Sequence, residues 1–198
     1  MDMPQIEITK DLSGEVLIHN RQVRFTVASS SMVPMLQPGD QVTVARFPGE
    51  AYTKGDLVVF HQSGDQVIHR LLEIDQDGLC LAKGDNAFFC DPAFKLEDIL
   101  GRVVSISHGQ KEIDLNTPGW HAFNQLMGWI GKLENSFLAL ARLHQPQPNR
   151  EVDPSETKIT DNHVSTPNKN NLGLHLLRVL RSPYRLLLRL FLKIKLGW

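Results

Sequence analysis

At 198 residues the chain has room for one ordinary domain with appendages, and too little for two full ones. Its 41% hydrophobic and 22% charged residues exclude a disordered chain and a polytopic membrane protein. The formal net charge of -1 hides an asymmetry: residues 172–198 carry Arg178, Arg181, Arg185, Arg189, Lys193 and Lys195 and no acid, leaving the rest at -7. A basic tail on an acidic body points to an anionic surface as partner.

Two cysteines, Cys80 and Cys90, do not make a secreted disulfide framework and are expected to be ordinary thiols. Residues 1–30 lack the basic start, long apolar run and small-residue cleavage site of an export signal. No stretch reaches the roughly 18–20 apolar residues that a spanning helix needs. The expected location is cytoplasmic and peripheral on a membrane.

Residues 14–115 read as short strands rich in Val and Ile, separated by turn signals. The expected strands are Val23 to Val27, Gln41 to Ala45 after Pro38-Gly39-Asp40, and Leu57 to Phe60 after Lys54-Gly55-Asp56. Val67 to Ile74 follows Ser63-Gly64-Asp65, Leu79 to Ala82 follows Asp77-Gly78, and Arg102 to Ser107 follows Gly101. Ile113 to Leu115 closes the series after His108-Gly109-Gln110. The expectation is a mainly β, compact antiparallel β-domain over residues 1–116, with amphipathic helices after it.

Thr117 suits an N-cap and Pro118 a first helical residue, and Trp120, Phe123, Met127, Ile130, Phe137 and Ala141 follow at near-helical spacing. An amphipathic helix is expected over 117–144. Residues 145–171 hold four prolines and few apolar residues, the composition of a disordered linker. Over 172–198, Arg178, Arg181, Arg185 and Arg189 recur at three- and four-residue steps and share a helical face, with Pro183 as a kink. Such a helix either docks on the body or lies in an anionic lipid interface, and the second is the expectation.

Chemistry concentrates in Ser29-Ser30-Ser31-Met32-Val33-Pro34-Met35-Leu36-Gln37-Pro38-Gly39-Asp40. Small residues at 28–31 let a substrate backbone approach and leave amide N–H groups available to an oxyanion. Three further blocks follow: Gly55 to Phe60, Val67-Ile68-His69-Arg70, and Lys83-Gly84-Asp85-Asn86 with Asp91-Pro92 beyond it. A serine hydroxyl is a weak nucleophile until a base takes its proton, and neutral imidazole suits that task. An aspartate on the other ring nitrogen fixes the tautomer and stabilises imidazolium.

The ordered set over residues 23–107 resembles the signal peptidase I family, within the superfamily shared with SOS repressors. There the S-x-S-M-x-P-x-L stretch carries the nucleophile, a later strand the base, and a K-G-D-N segment closes the site. The resemblance implies a compact β fold of the signal peptidase type, with Ser31 as nucleophile. His69 stands where most bacterial members have lysine, which resembles the endoplasmic-reticulum and archaeal branch and makes His69 the base. Asp85 and Asp91 match acids of that branch, and Ser29 stands where a hydroxyl assists the oxyanion hole in relatives. The implied activity is a serine endopeptidase that cuts a precursor or leader peptide after small residues, without cofactor or metal. Three departures from the family are expected: no N-terminal anchor, no large inserted second domain, and Ser30 where glycine is usual.

Two other readings remain. A self-cleaving regulator of the SOS-repressor type would use a Ser/Lys pair and cut an Ala-Gly dipeptide, which the chain lacks; its first 25 residues are also too short for a helix-turn-helix, and no nucleic-acid partner is expected. A catalytically inactive membrane-surface binding module would not need the intact Ser31, His69, Asp85 and Asp91 set. Lys54 and Lys83, each before Gly-Asp, read as solvated turn residues. Met32 is expected to fill a pocket and Pro34 to fix the loop. The remaining histidines show no metal-ligand spacing and receive no role.

Overall fold

A computed structural model of the chain describes residues 22–46, 52–143, 186 and 188–193. Eight strands form one antiparallel sheet: β1 (Gln22–Thr26), β2 (Gln41–Ala45), β3 (Leu57–Gln62), β4 (Asp65–Ile74), β5 (Leu79–Lys83), β6 (Phe94–Lys95), β7 (Ile99–His108) and β8 (Lys111–Asp114). Their order is β1-β2-β7-β3-β4-β5-β6, with β8 also paired to β7. The fold is therefore mainly β and antiparallel, followed by a helix, α1 (Pro118–Leu143).

The hairpins follow the turn signals. Gly64, Gly78 and Gly109 adopt positive φ, where a Cβ is strained, and they close β3–β4, β4–β5 and β7–β8. Strand β7 runs past both ends of the expected Arg102 to Ser107 segment, because three neighbours use different stretches of it. Its first half pairs with β3, Arg102 to Ser107 with β2, and Ser105 to His108 with β8. The two-residue strand β6 carries no period-2 signal long enough to read from sequence.

The larger core cluster gathers Val42, Val44, Leu57, Met32, Met35, Leu36 and Ile106 with Trp120, Phe123 and Met127 of α1. The smaller one holds Val58, Phe60, Leu71, Ala82 and Phe94. Phe60 stacks on Phe94 with centroids 3.9 Å apart, a floor beneath the middle of β4.

Helix α1 begins where Thr117 and Pro118 place it, with the Thr117 carbonyl accepting the His121 N–H at 3.0 Å. Its backbone lies against the 54–55 turn so closely that a Cβ on Gly55 would fall 2.1 Å from the Asn124 carbonyl oxygen. Only glycine allows that approach. Two ion pairs, Lys132–Glu73 at 2.6 Å and Lys83–Glu134, fasten the helix to β4 and β5.

The expected linker over 145–171 and most of the expected tail helix lie outside the described residues. The tail's described residues 188–193 are helical. Leu188 and Leu192 are fully buried in the larger core, and Phe191 stacks on Phe123 at 3.8 Å. This part of the tail is docked on the body, with Leu190, Arg189 and Lys193 on its outer side.

Candidate active site

Two loops and the centre of β4 meet at one place. The first loop, residues 27–40, is closed at its neck by Val27 N–H donating to the Asp40 carbonyl and Gly39 N–H donating to the Val27 carbonyl, each 2.8 Å. Met32, Met35 and Leu36 face inward and are almost fully buried. Their burial holds the outward side of the loop, with Ser29, Ser30 and Ser31, in a fixed place. Met32 fills a pocket as expected, and Pro34 follows a cis peptide bond.

The second loop, residues 84–91, interlocks with the first. The Asn86 N–H donates to the Ser31 carbonyl at 2.7 Å, and the Asn86 side-chain amide donates to the Ser30 carbonyl at 3.0 Å. The Asp91 N–H donates to the Ala82 carbonyl at 2.9 Å, pinning the loop's far end to β5. A Cβ added to Gly84 would stand 2.7 Å from the Ser31 carbonyl oxygen and 3.0 Å from His69 Nε2. The nucleophile loop and the imidazole therefore border the same point, and any side chain at 84 would push them apart.

Neighbouring side chains on a strand point to opposite faces, and β4 uses this at its centre. His69 faces the serine loop, with Phe60 edge-on at 6.3 Å between centroids. Its Nδ1 lies 2.6 Å from Asp91 Oδ2, and both side chains are largely buried. Its other nitrogen, Nε2, is buried and has no hydrogen-bond partner. A buried ring nitrogen without a partner costs free energy unless a ligand or reacting group uses it. With Asp91 accepting the Nδ1 proton, Nε2 is left as the acceptor, the tautomer a general base requires.

Arg70 points the other way and is 1% exposed. Its Nε and Nη2 donate to both carboxylate oxygens of Asp85 at 2.8 Å, and its Nη1 donates to the Gly55 carbonyl and Asn124 Oδ1 at 2.9 Å. One guanidinium thus ties the 84–91 loop, the 54–55 turn and α1 together. Asp85, one of the two candidate acids of the set, meets Arg70 with both carboxylate oxygens. Asp91 is the aspartate hydrogen-bonded to the imidazole.

Ser31 Oγ lies 3.1 Å from Ser29 Oγ. The structure thus brings Ser29, Ser31, His69 and Asp91 together and sets Asp85 one layer behind them. In this state the serine hydroxyl is turned to Ser29, not to the open nitrogen of His69.

Lys83 corrects its sequence reading. It is 5% exposed and ion-paired with Glu134 of α1, because it ends β5 on the face that α1 covers. Lys54, also read as a solvated turn, is half-buried with its Nζ 3.5 Å over the Trp129 ring. Glu134 and Asn124 were invisible as partners in the sequence, being more than fifty residues from the groups they meet. Both cysteines are free thiols. Burial, chiefly, pushes each up to about 11, with Asp75 adding at Cys80 and Lys83 opposing at Cys90. They are poor nucleophiles at neutral pH.

Among the described residues no helix is long and apolar enough to cross a membrane. A family model described as Peptidase S24-like matches residues 2–104, about half of the chain. The match ends within β7, so it takes in the whole 27–40 loop, His69, Asp85 and Asp91. No curated protein sequence matches the chain.

Proposed function

The chain belongs to the Peptidase S24-like family, and from that premise we propose that it is a signal-peptidase-like serine endopeptidase acting on a precursor or leader peptide. The observation that carries the reading is the buried His69, held by Asp91 at Nδ1 and without a partner at Nε2, beside the Ser31 loop.

The reaction follows from those roles. In this mechanism Ser31 Oγ leaves Ser29 for Nε2. Oγ attacks the scissile carbonyl while Nε2 takes the hydroxyl proton, and Asp91 stabilises the resulting imidazolium. The Ser29 hydroxyl, released from Ser31, then donates to the oxyanion in this reading. His69 then gives its proton to the leaving amine. Water repeats the cycle on the acyl-enzyme and frees Ser31.

A Ser/Lys self-cleaving regulator is the second reading that the family allows. Lys83, which precedes Gly84, has its ammonium ion-paired with Glu134 of α1. His69 is the better base on this geometry. The docked tail, basic on its outer side, supports a peripheral place on an anionic membrane for residues 172–198.

Cleavage profiling against a peptide library, with Ser31→Ala as control, tests the reading. Sequence-selective cuts by the native protein that vanish in Ser31→Ala are expected. Equal cleavage by both proteins rejects a Ser31 peptidase.

A further inference from the structure

Helix α1 is apolar on two sides. One side, with Trp120, Phe123 and Met127, is buried in the core. The other carries Leu126, Trp129, Leu133 and Phe137, spaced three, four and four residues apart and therefore in one row along the helix. Each of the four is more than half exposed, at 54%, 57%, 56% and 56%. The docked tail shows the same two-sidedness: Leu188 and Leu192 are buried, while Leu186 and Leu190 are 66% and 52% exposed. Phe191 joins the two helices by stacking on Phe123 and meeting Trp120 edge-on at 5.1 Å. Two exposed apolar rows thus sit on neighbouring helices, where water gains nothing from either.

We infer that the outer row of α1, with the outer side of the docked tail, is a docking face for an anionic lipid bilayer. This extends the membrane reading of residues 172–198 to a second, independent element and does not depend on the catalytic assignment. Three observations choose lipid over other occupants. The sequence of the tail holds six basic residues and no acid, and of its described residues Arg189 and Lys193 are exposed next to Leu186 and Leu190. A second copy of the chain would bring two such basic segments together, whereas anionic headgroups neutralise them.

The row also has the chemistry of an interface. Trp129 is exposed with the Lys54 ammonium 3.5 Å over its ring, an aromatic body with a cation on its face, as suits the boundary between acyl chains and headgroups. Finally, residues 145–171, the polar stretch between the helices in sequence, contain only Val152, Ile159 and Val164 as apolar residues. Such a segment does not supply the apolar surface that would cover four large side chains.

The face has a consequence for the site. Glu134, the neighbour of Leu133, is ion-paired with Lys83, and Lys83 precedes Gly84 at the catalytic point. A bilayer bound along the row would therefore lie on the helix that Lys83 ties to the start of the 84–91 loop.

The test is flotation of the full chain with vesicles. Wild-type protein should float with phosphatidylglycerol-containing vesicles, less so as salt rises, and stay behind with pure phosphatidylcholine. Leu126→Ser, Trp129→Ser, Leu133→Ser and Phe137→Ser combined should lower the bound fraction by about tenfold or more. All four are exposed, so thermal unfolding and fluorophosphonate labelling of Ser31 should be unchanged. Arg189→Glu with Lys193→Glu should weaken binding at low salt.

In a Trp198→Phe background, lipids brominated on the acyl chain should quench Trp129 and spare Trp120, which is 8% exposed. Wild-type protein that stays in solution overturns the inference. So does a fourfold variant that floats like wild type, or a wild-type dimer that the four serines dissolve. Failure of Ser31 labelling, by contrast, would strike the peptidase reading and leave flotation untouched.

Discussion

Among the described residues two close His–Asp pairs stand in different surroundings. His69 Nδ1 lies 2.6 Å from Asp91, and His108 Nδ1 lies 2.5 Å from Asp40. The first ring is 9% exposed and the second 41%. Asp91 ends a loop that grips the serine backbone. Asp40 is itself buried and also accepts the Gln37 N–H at 2.7 Å, so it fastens the 37–40 turn to the end of β7. A short imidazole–carboxylate contact is therefore no sign of catalysis. What separates the pairs is the far nitrogen of His69, buried without a partner and facing a serine loop.

That contrast is most easily broken by removing each ring. Ser31→Ala and His69→Ala should each lower kcat by about 10⁴-fold or more, with little change in Tm. His108→Ala should leave kcat within about twofold, since its ring touches no reacting atom. A turnover collapse in His108→Ala with normal folding would dissolve the distinction.

The carboxylates sharpen it at the next level. Asp91→Asn should cost about 10²–10⁴ in kcat, because the amide favours the wrong tautomer of His69. Asp40→Asn should instead cost stability, about 1–3 kcal/mol, through its buried hydrogen bonds. Lys83→Met should also act on stability, by about 3–5 kcal/mol, since it strands Glu134 against the protein. Loss of turnover in a folded Lys83→Met protein, with activity kept in His69→Gln, would move the base to lysine.

In pH profiles, kcat/KM should rise along a one-proton limb, because only neutral imidazole accepts the serine proton. His69→Gln should erase that limb and His108→Gln should leave it in place. A limb that follows His108 would reverse the roles of the two pairs.

The smallest effect concerns the thiols, one of which, Cys90, adjoins Asp91. Both are raised from 9.0 to about 11. Below pH 9 folded and unfolded chains hold these protons alike, so stability does not vary with them. Between pH 9 and about 11 the unfolded chain ionises first, and stability should fall as pH rises. Urea-melt midpoints across that window, compared with Cys80→Ala and Cys90→Ala, check the sign. Iodoacetamide should react with both thiols far more slowly in the native protein than in urea.

The sequence by itself determined the hairpin turns, because glycine and proline act locally. It also singled out Ser31 and His69, which the fold brings to either side of Gly84, because ordered motif blocks retain residue types even when contacts are unknown. It located the start of α1 through Thr117 and Pro118 for the same local reason. The choice between Asp85 and Asp91 was not legible, since both fit the spacing. Strand alternation settled it in space: His69 turns to one face and meets Asp91, and Arg70 turns to the other and takes Asp85. Lys83 looked solvated because it precedes a Gly-Asp turn, and only the packing of α1 on β5 made it a buried ion-pair partner. The tail divided in the same way: its basic, leucine-rich pattern was written in the sequence, but a helical face shows only how apolar it is. Which of its leucines meet protein was decided by where Trp120 and Phe123 left room.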